Sequence, residues 1–153
     1  MSFMTGPGRL GWADLPRLRP VRASILVVDD DERARVSLQR SLLEMGHTVR
    51  AAASAEEADA RLSSESFHLA LLDIELPNMN GVDFLDWALR RDPLMAVIMV
   101  TGRDDTDTAL ATMRAGARTY LVKPVPLEIL KVTVDDALSV RELLLRCSGI
   151  PPG

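Results

Sequence analysis

The chain has 153 residues, 47% of them hydrophobic, and a formal net charge of −4. That length suits one domain of about 100–150 residues with short flanks. In residues 1–23, Arg9, Arg17, Arg19 and Arg22 outnumber Asp14, so the body carries the acidic excess, which argues against direct nucleic acid binding. The single cysteine, Cys147, excludes an internal disulfide and a cysteine-based metal site. No apolar stretch approaches the ~18–20 residues of a membrane helix, and Arg and Pro interrupt the first residues where a signal core would lie. The expected setting is soluble and cytoplasmic, with no membrane partner.

Residues 1–23 are rich in Gly, Pro and Arg, with Gly6-Pro7-Gly8 and Leu15-Pro16 as breakers. They read as a mobile, unstructured arm; the alternative is that Trp12, Leu15 and Leu18 dock on the domain or a partner. A first strand is expected over 25–29 and a helix over 31–45, with Asp31 as its cap. Val36, Leu38, Leu42 and Leu43 supply that helix's apolar positions, and Gly46 its left-handed stop. Strand two follows over 48–53. Ser54-Ala55-Glu56-Glu57 reads as a capping box opening a helix over 55–64. Strand three is placed at 68–73, helix three from Gly81 to Arg91, and strand four at 96–100. Helix four is placed at 105–115, stopped by Gly116, strand five at 118–122 and helix five at 126–146. His47, at the start of strand two, and His68, inside strand three, have no metal-ligand spacing and read as structural. The domain organisation is an arm over 1–23, a folded domain over 24–146 and a tail over 147–153. Alternating strands and helices define an α/β domain with a doubly wound parallel sheet.

The apolar runs Ile25–Val28, Phe67–Leu72, Ala96–Val100 and Tyr120–Val122 suit strands buried on both faces. Polar residues stand at their C-terminal ends: Asp29 and Asp30, Asp73, Thr101, and Lys123. In an open α/β sheet these ends face one crevice, where ligands bind. Three converging carboxylates repel, so a hard cation with oxygen ligands, Mg²⁺ above all, is the expected complement.

The constellation resembles the receiver domain of two-component response regulators. The resemblance rests on Val27-Val28-Asp29-Asp30, on Leu71 to Gly81, on Met99-Val100-Thr101-Gly102, and on Ala115-Gly116-Ala117 leading into Tyr120-Leu121-Val122-Lys123-Pro124. It covers roughly residues 24 to 145. It implies a flavodoxin-like five-stranded sheet of order 2-1-3-4-5. It implies that Asp73 accepts a phosphoryl group from a sensor histidine kinase or a phosphotransfer protein. Asp29, Asp30, Asp73 and the backbone carbonyl of Glu75 would hold Mg²⁺, with Asp30 the more direct ligand of the Asp29–Asp30 pair. Thr101 and Lys123 would bind the phosphoryl oxygens, and a cis Lys123–Pro124 bond would turn the lysine inward. Thr101 and Tyr120 would form a switch that alters the face of helix four, strand five and helix five, a possible homodimer surface. Glu75 and Arg103 would flank the path of the hydrolytic water. Such a protein is a phosphoacceptor that promotes its own phosphorylation and dephosphorylation, not an enzyme in the usual sense.

Rival readings are weaker. Asp29-Asp30-Asp31 fits the Asp-x-Asp of haloacid-dehalogenase-type phosphatases, but Arg33 stands where those need Thr or Val. Neither nucleotide-binding glycine motif is present. Two outputs stay open: a stand-alone receiver acting by protein contact on an unidentified downstream partner, or part of a longer regulator whose output domain lies elsewhere.

Overall fold

The computed structural model describes residues 22–102 and 105–148. The arm through Val21, Arg103 and the last residues of the tail lie outside the described residues. Five strands form one parallel sheet: β1 (Ser24–Val28), β2 (Thr48–Ala52), β3 (Leu69–Asp73), β6 (Ala96–Thr101) and β7 (Thr119–Val122). Their order is β2-β1-β3-β6-β7. The helices are α1 (Glu32–Glu44), α2 (Ala55–Ser64), α3 (Gly81–Arg91), α4 (Thr106–Arg114) and α5 (Leu127–Ser148). The strand order is the expected one, the small β4–β5 hairpin (Glu75–Leu76, Met79–Asn80) accounting for the higher numbers. α5 continues two residues past its expected end.

Strand alternation splits the core in two. Leu26, Val28, Ala70, Leu72, Val97 and Met99 point to the side of α2 and α3, where Phe84, Leu85 and Ala88 meet them. Ile25, Val27, Leu69, Leu71, Ile98 and Val100 point to the side of α1 and α5, against Leu38, Leu42, Leu130, Val134 and Leu138. This period of two within continuous apolar runs is what burial on both faces of a parallel sheet demands. It forces each polar residue to the strand end, beyond the covering helices.

Local chemistry sets the boundaries. The Asp31 carboxylate caps α1, accepting from the Arg33 N–H at 3.1 Å. The Ser54 hydroxyl caps α2 through the Glu57 N–H, while the Glu57 carboxylate reaches back to the Ala53 N–H. Gly46 and Gly116 close α1 and α4 with φ of 93° and 107°.

Two expectations change. Val36 and Leu43 do not pack inward: they are exposed, and only Leu38 and Leu42 of α1 are buried. The histidines stand at the foot of the sheet, each just before its strand. His47 Nδ1 accepts the Ala23 N–H at 3.1 Å, and His68 Nδ1 the Ser24 N–H at 2.8 Å. Burial, then the Arg141 guanidinium, lowers the His68 pKa and favours the neutral ring this bond needs.

The hairpin was not expected. Pro77-Asn78 makes its turn, with Asn78 left-handed at φ 65°. Its return is pinned by the Gly81 N–H to the Ile74 carbonyl at 2.7 Å. A Cβ on Gly81 would lie 2.5 Å from the Asp73 carbonyl oxygen and from Ile74 Cα, both backbone, whereas one on Gly102 would meet nothing within 4 Å. Gly81→Ala is therefore expected to cost about 1–3 kcal/mol or more, and Gly102→Ala within about 0.5 kcal/mol of zero. Urea unfolding of both variants checks this; equal midpoints would contradict the close approach.

Candidate functional site

Asp29 stands one residue past β1, Asp73 ends β3, Thr101 ends β6, and Lys123 stands one residue past β7. The parallel register brings these ends together, and the Lys123 N–H bonds the Thr101 carbonyl at 2.7 Å. The Lys123–Pro124 peptide bond is cis. Lys123 Nζ lies 2.6 Å from Asp29 Oδ2 and 3.2 Å from Asp73 Oδ2. One ammonium thus bridges two carboxylates whose side chains are only 2% and 6% exposed.

The remaining carboxylate oxygens hold the loops. Asp29 Oδ1 accepts the Asp31 N–H at 2.9 Å, and Asp73 Oδ1 the Glu75 N–H at 3.1 Å. Arg35, a residue the sequence did not single out, donates to the Asp29 carbonyl at 2.9 Å. Asp29 Oδ2 is buried and accepts no hydrogen bond of good geometry; the Lys123 ammonium is its compensation.

Asp30 is exposed, yet it offers one oxygen to a set with Asp29 and Asp73 in which all three lie within 4.8 Å of one another. Three hard oxygen donors so placed fit a divalent cation such as Mg²⁺, which tolerates few protein ligands and retains waters. Thr101 is fully buried beside the site. Glu75 opens the hairpin directly after Asp73-Ile74, and its N–H is bonded to Asp73 Oδ1. Tyr120 is half-buried and packs on the core cluster that includes Met99 and Ala117. Arg103, the expected counterpart of Glu75, lies outside the described residues.

Burial pushes the Asp73 carboxyl up to about 6, with the Asp29 charge adding to it, while the Glu75 N–H and Lys123 act the other way. Burial lowers the Lys123 pKa, but Asp29 and Asp73 outweigh it and hold the ammonium protonated.

Comparisons with known proteins agree with this geometry. The response regulator receiver domain model matches residues 25–143. The alginate biosynthesis transcriptional regulatory protein AlgB of Pseudomonas aeruginosa is 36% identical over 126 residues, 82% of this chain but 28% of that protein. The response regulator protein PilR of the same organism is 37% identical, covering 78% of this chain and 27% of its own length. Among solved structures, a CheY-like receiver domain protein from Methanospirillum hungatei superposes with a TM-score of 0.76 at 37% identity, covering 79% of this chain and 97% of its own. NtrX from Brucella abortus, in complex with ADP, gives 0.81 at 30% identity over 86% of this chain and 30% of that one. The fold is that of a response regulator receiver module. The chain belongs to the response regulator receiver domain family. It spans about 28% of the length of the curated relatives it matches.

The raised Asp73 pKa has a measurable consequence. A carboxyl whose folded pKa exceeds its ordinary 3.8 binds its proton more tightly in the folded state. Its contribution to stability therefore falls as pH rises from about 4 through about 6. In metal-free buffer, Asp73→Asn is expected to gain up to roughly 3 kcal/mol relative to wild type at pH 7.5, and little at pH 4. Urea unfolding at the two pH values checks it; the same difference at both would contradict a raised pKa.

Proposed function

We propose that this domain takes a phosphoryl group from the phosphohistidine of a sensor histidine kinase or phosphotransfer protein onto the Asp73 carboxylate. The observation that carries this reading is Lys123 Nζ bridging Asp29 and Asp73 beside a third carboxylate. In the transfer, an Asp73 oxygen forms a bond to phosphorus as the histidine nitrogen–phosphorus bond breaks. The freed imidazole keeps its electron pair. The product is an aspartyl phosphate, and its hydrolysis returns the carboxylate.

Asp29, Asp30, Asp73 and the Glu75 carbonyl would hold Mg²⁺, which when bound supplies positive charge for the phosphoryl oxygens. Lys123 leaves its ion pair with Asp73 Oδ2 to meet the phosphoryl group, still anchored by Asp29. The Thr101 hydroxyl donates to a second phosphoryl oxygen. The domain is a phosphoacceptor that assists its own phosphorylation and dephosphorylation, working in the cytoplasm.

The histidine-bearing partner approaches from α1. A groove of about 450 Å³ opens there beside Lys123, lined by Ala34, Ser37 and Leu38 of α1 and by Pro124 and Val125. The exposed Val36 and Leu43 line a separate depression on another face of α1. Output runs through Thr101 and Tyr120 to the face of α4, β7 and α5. Leu110 and Met113 on α4 are 47% and 46% exposed, and with α5 they offer a homodimer surface. The length of the relatives favours a second reading of the output, in which this is the input part of a longer regulator. The phosphoryl chemistry is the same in both.

Incubation with a small phosphodonor and Mg²⁺, read by intact mass, tests the core of the proposal. Wild type is expected to gain one phosphoryl group, Asp73→Asn none, and excess chelator to abolish the gain. Labelling of Asp73→Asn at the wild-type rate would overturn the nucleophile; undiminished labelling in chelator would overturn the metal. Beryllofluoride, a phosphoryl mimic, is expected to change hydrogen exchange across residues 105–146, and identical exchange would count against the switch.

A further inference from the structure

We infer that Arg35 is a positioning residue of the divalent-cation site: its guanidinium fixes the peptide unit between Asp29 and Asp30 and so aims the Asp30 carboxylate at Asp29 and Asp73. The inference rests on the metal reading proposed above and goes beyond it, because Arg35 supplies no ligand.

Asp30 is held differently from its two partners in the carboxylate set. Asp29 and Asp73 are buried, and the Lys123 ammonium and backbone N–H groups grip their oxygens. Asp30 is exposed, so packing does not aim its side chain. Its direction follows from its backbone. A planar peptide leaves two soft dihedrals per residue, and pinning the peptide units on either side fixes both. The unit after Asp30 is pinned through the Asp31 N–H, which donates to Asp29 Oδ1 at 2.9 Å. The unit before it is pinned through the Asp29 carbonyl, which accepts from Arg35 Nη1 at 2.9 Å. The Asp29 N–H, bonded to the Ala52 carbonyl at 3.1 Å, ties the same stretch to β2.

The place of Arg35 on α1 suits that task. It lies in the first turn, its own N–H donating to the Asp31 carbonyl at 2.9 Å. Helical side chains lean toward the N-terminus, so the guanidinium reaches back over the loop that carries Asp30. A cation there opposes the helix dipole. The carbonyl that it holds offsets this. Its charge also repels a divalent cation, and this gives the inference a sign. Charge alone predicts that removing Arg35 tightens cation binding; positioning predicts that it weakens binding. Loss of an outer partner that orients a ligand weakens a metal site by about tenfold or more.

The test titrates the whole chain with Mg²⁺ alone, without a phosphodonor, and follows the amide ¹⁵N–¹H resonances well below the unfolding temperature. Wild type is expected to bind, and Arg35→Met to bind about tenfold more weakly. Arg33→Met removes the same charge from an exposed residue of the same turn, whose bond to Asp31 is made by its backbone N–H and survives the change. It is expected to bind at least as tightly as wild type. Without metal, the order parameter of the Asp30 N–H, which shares its peptide unit with the Asp29 carbonyl, is expected to fall in Arg35→Met and to hold in Arg33→Met. Binding unchanged or tightened in Arg35→Met would overturn this inference alone. So would equal weakening in Arg33→Met, or an Asp30 order parameter indifferent to Arg35. Wild type that binds no Mg²⁺ would overturn the metal reading and this inference together.

Discussion

The Lys123 ammonium between Asp29 and Asp73 is the constraint around which this domain is arranged. Two buried carboxylates cannot both ionise cheaply without a cation, and taking charge out of water costs several kcal/mol per ion. The sheet register brings both strand ends to one point, and the turn after β7 delivers the lysine. Backbone N–H groups of Asp31 and Glu75 occupy the other two oxygens. Yet one ammonium does not balance three carboxylates. The three carboxylates could hold a divalent cation, and burial, with the Asp29 charge adding to it, keeps Asp73 within reach of a proton near neutral pH.

Much of this was legible in the residues because the sheet leaves polar groups only one place to go. Strands covered on both faces must read as apolar runs, so Asp29, Asp73, Thr101 and Lys123 declare the strand ends by interrupting them. Caps were legible for a similar reason: Asp31 and the Ser54–Glu57 pair satisfy N–H groups that every helix start leaves open. What distance alone determines was not. The approach of Gly81 to the Asp73 carbonyl joins residues whose contact depends on the hairpin's path. Pro77-Asn78 is a turn signal in the residues themselves, but it does not say where the hairpin packs.

The α1 helix shows why periodicity can mislead. Leu38 and Leu42, four apart, share one face; Val36 and Leu43, seven apart, share another. The pattern offers two apolar stripes, and only the position of the sheet decides which is buried. The same holds for His47 and His68. Their use as acceptors for successive N–H groups of Ala23 and Ser24 depends on where β1 enters, which no local spacing encodes.

The helices are unequally anchored. α5 buries Leu130, Val134, Ala137, Leu138 and Leu145, and α3 buries Phe84, Leu85 and Ala88, whereas α4 buries Thr112 alone. At about 1.5–3 kcal/mol per large buried side chain, displacing α3 or α5 would consume most of a domain's stability of ~5–15 kcal/mol. α4 has no such side chain to lose, and its apolar Leu110 and Met113 already face out. It also follows Thr101 in the chain, and Thr101 is fully buried beside the site. Moving α4 would therefore cost the core less than moving α3 or α5, and the proposed switch would draw on that difference.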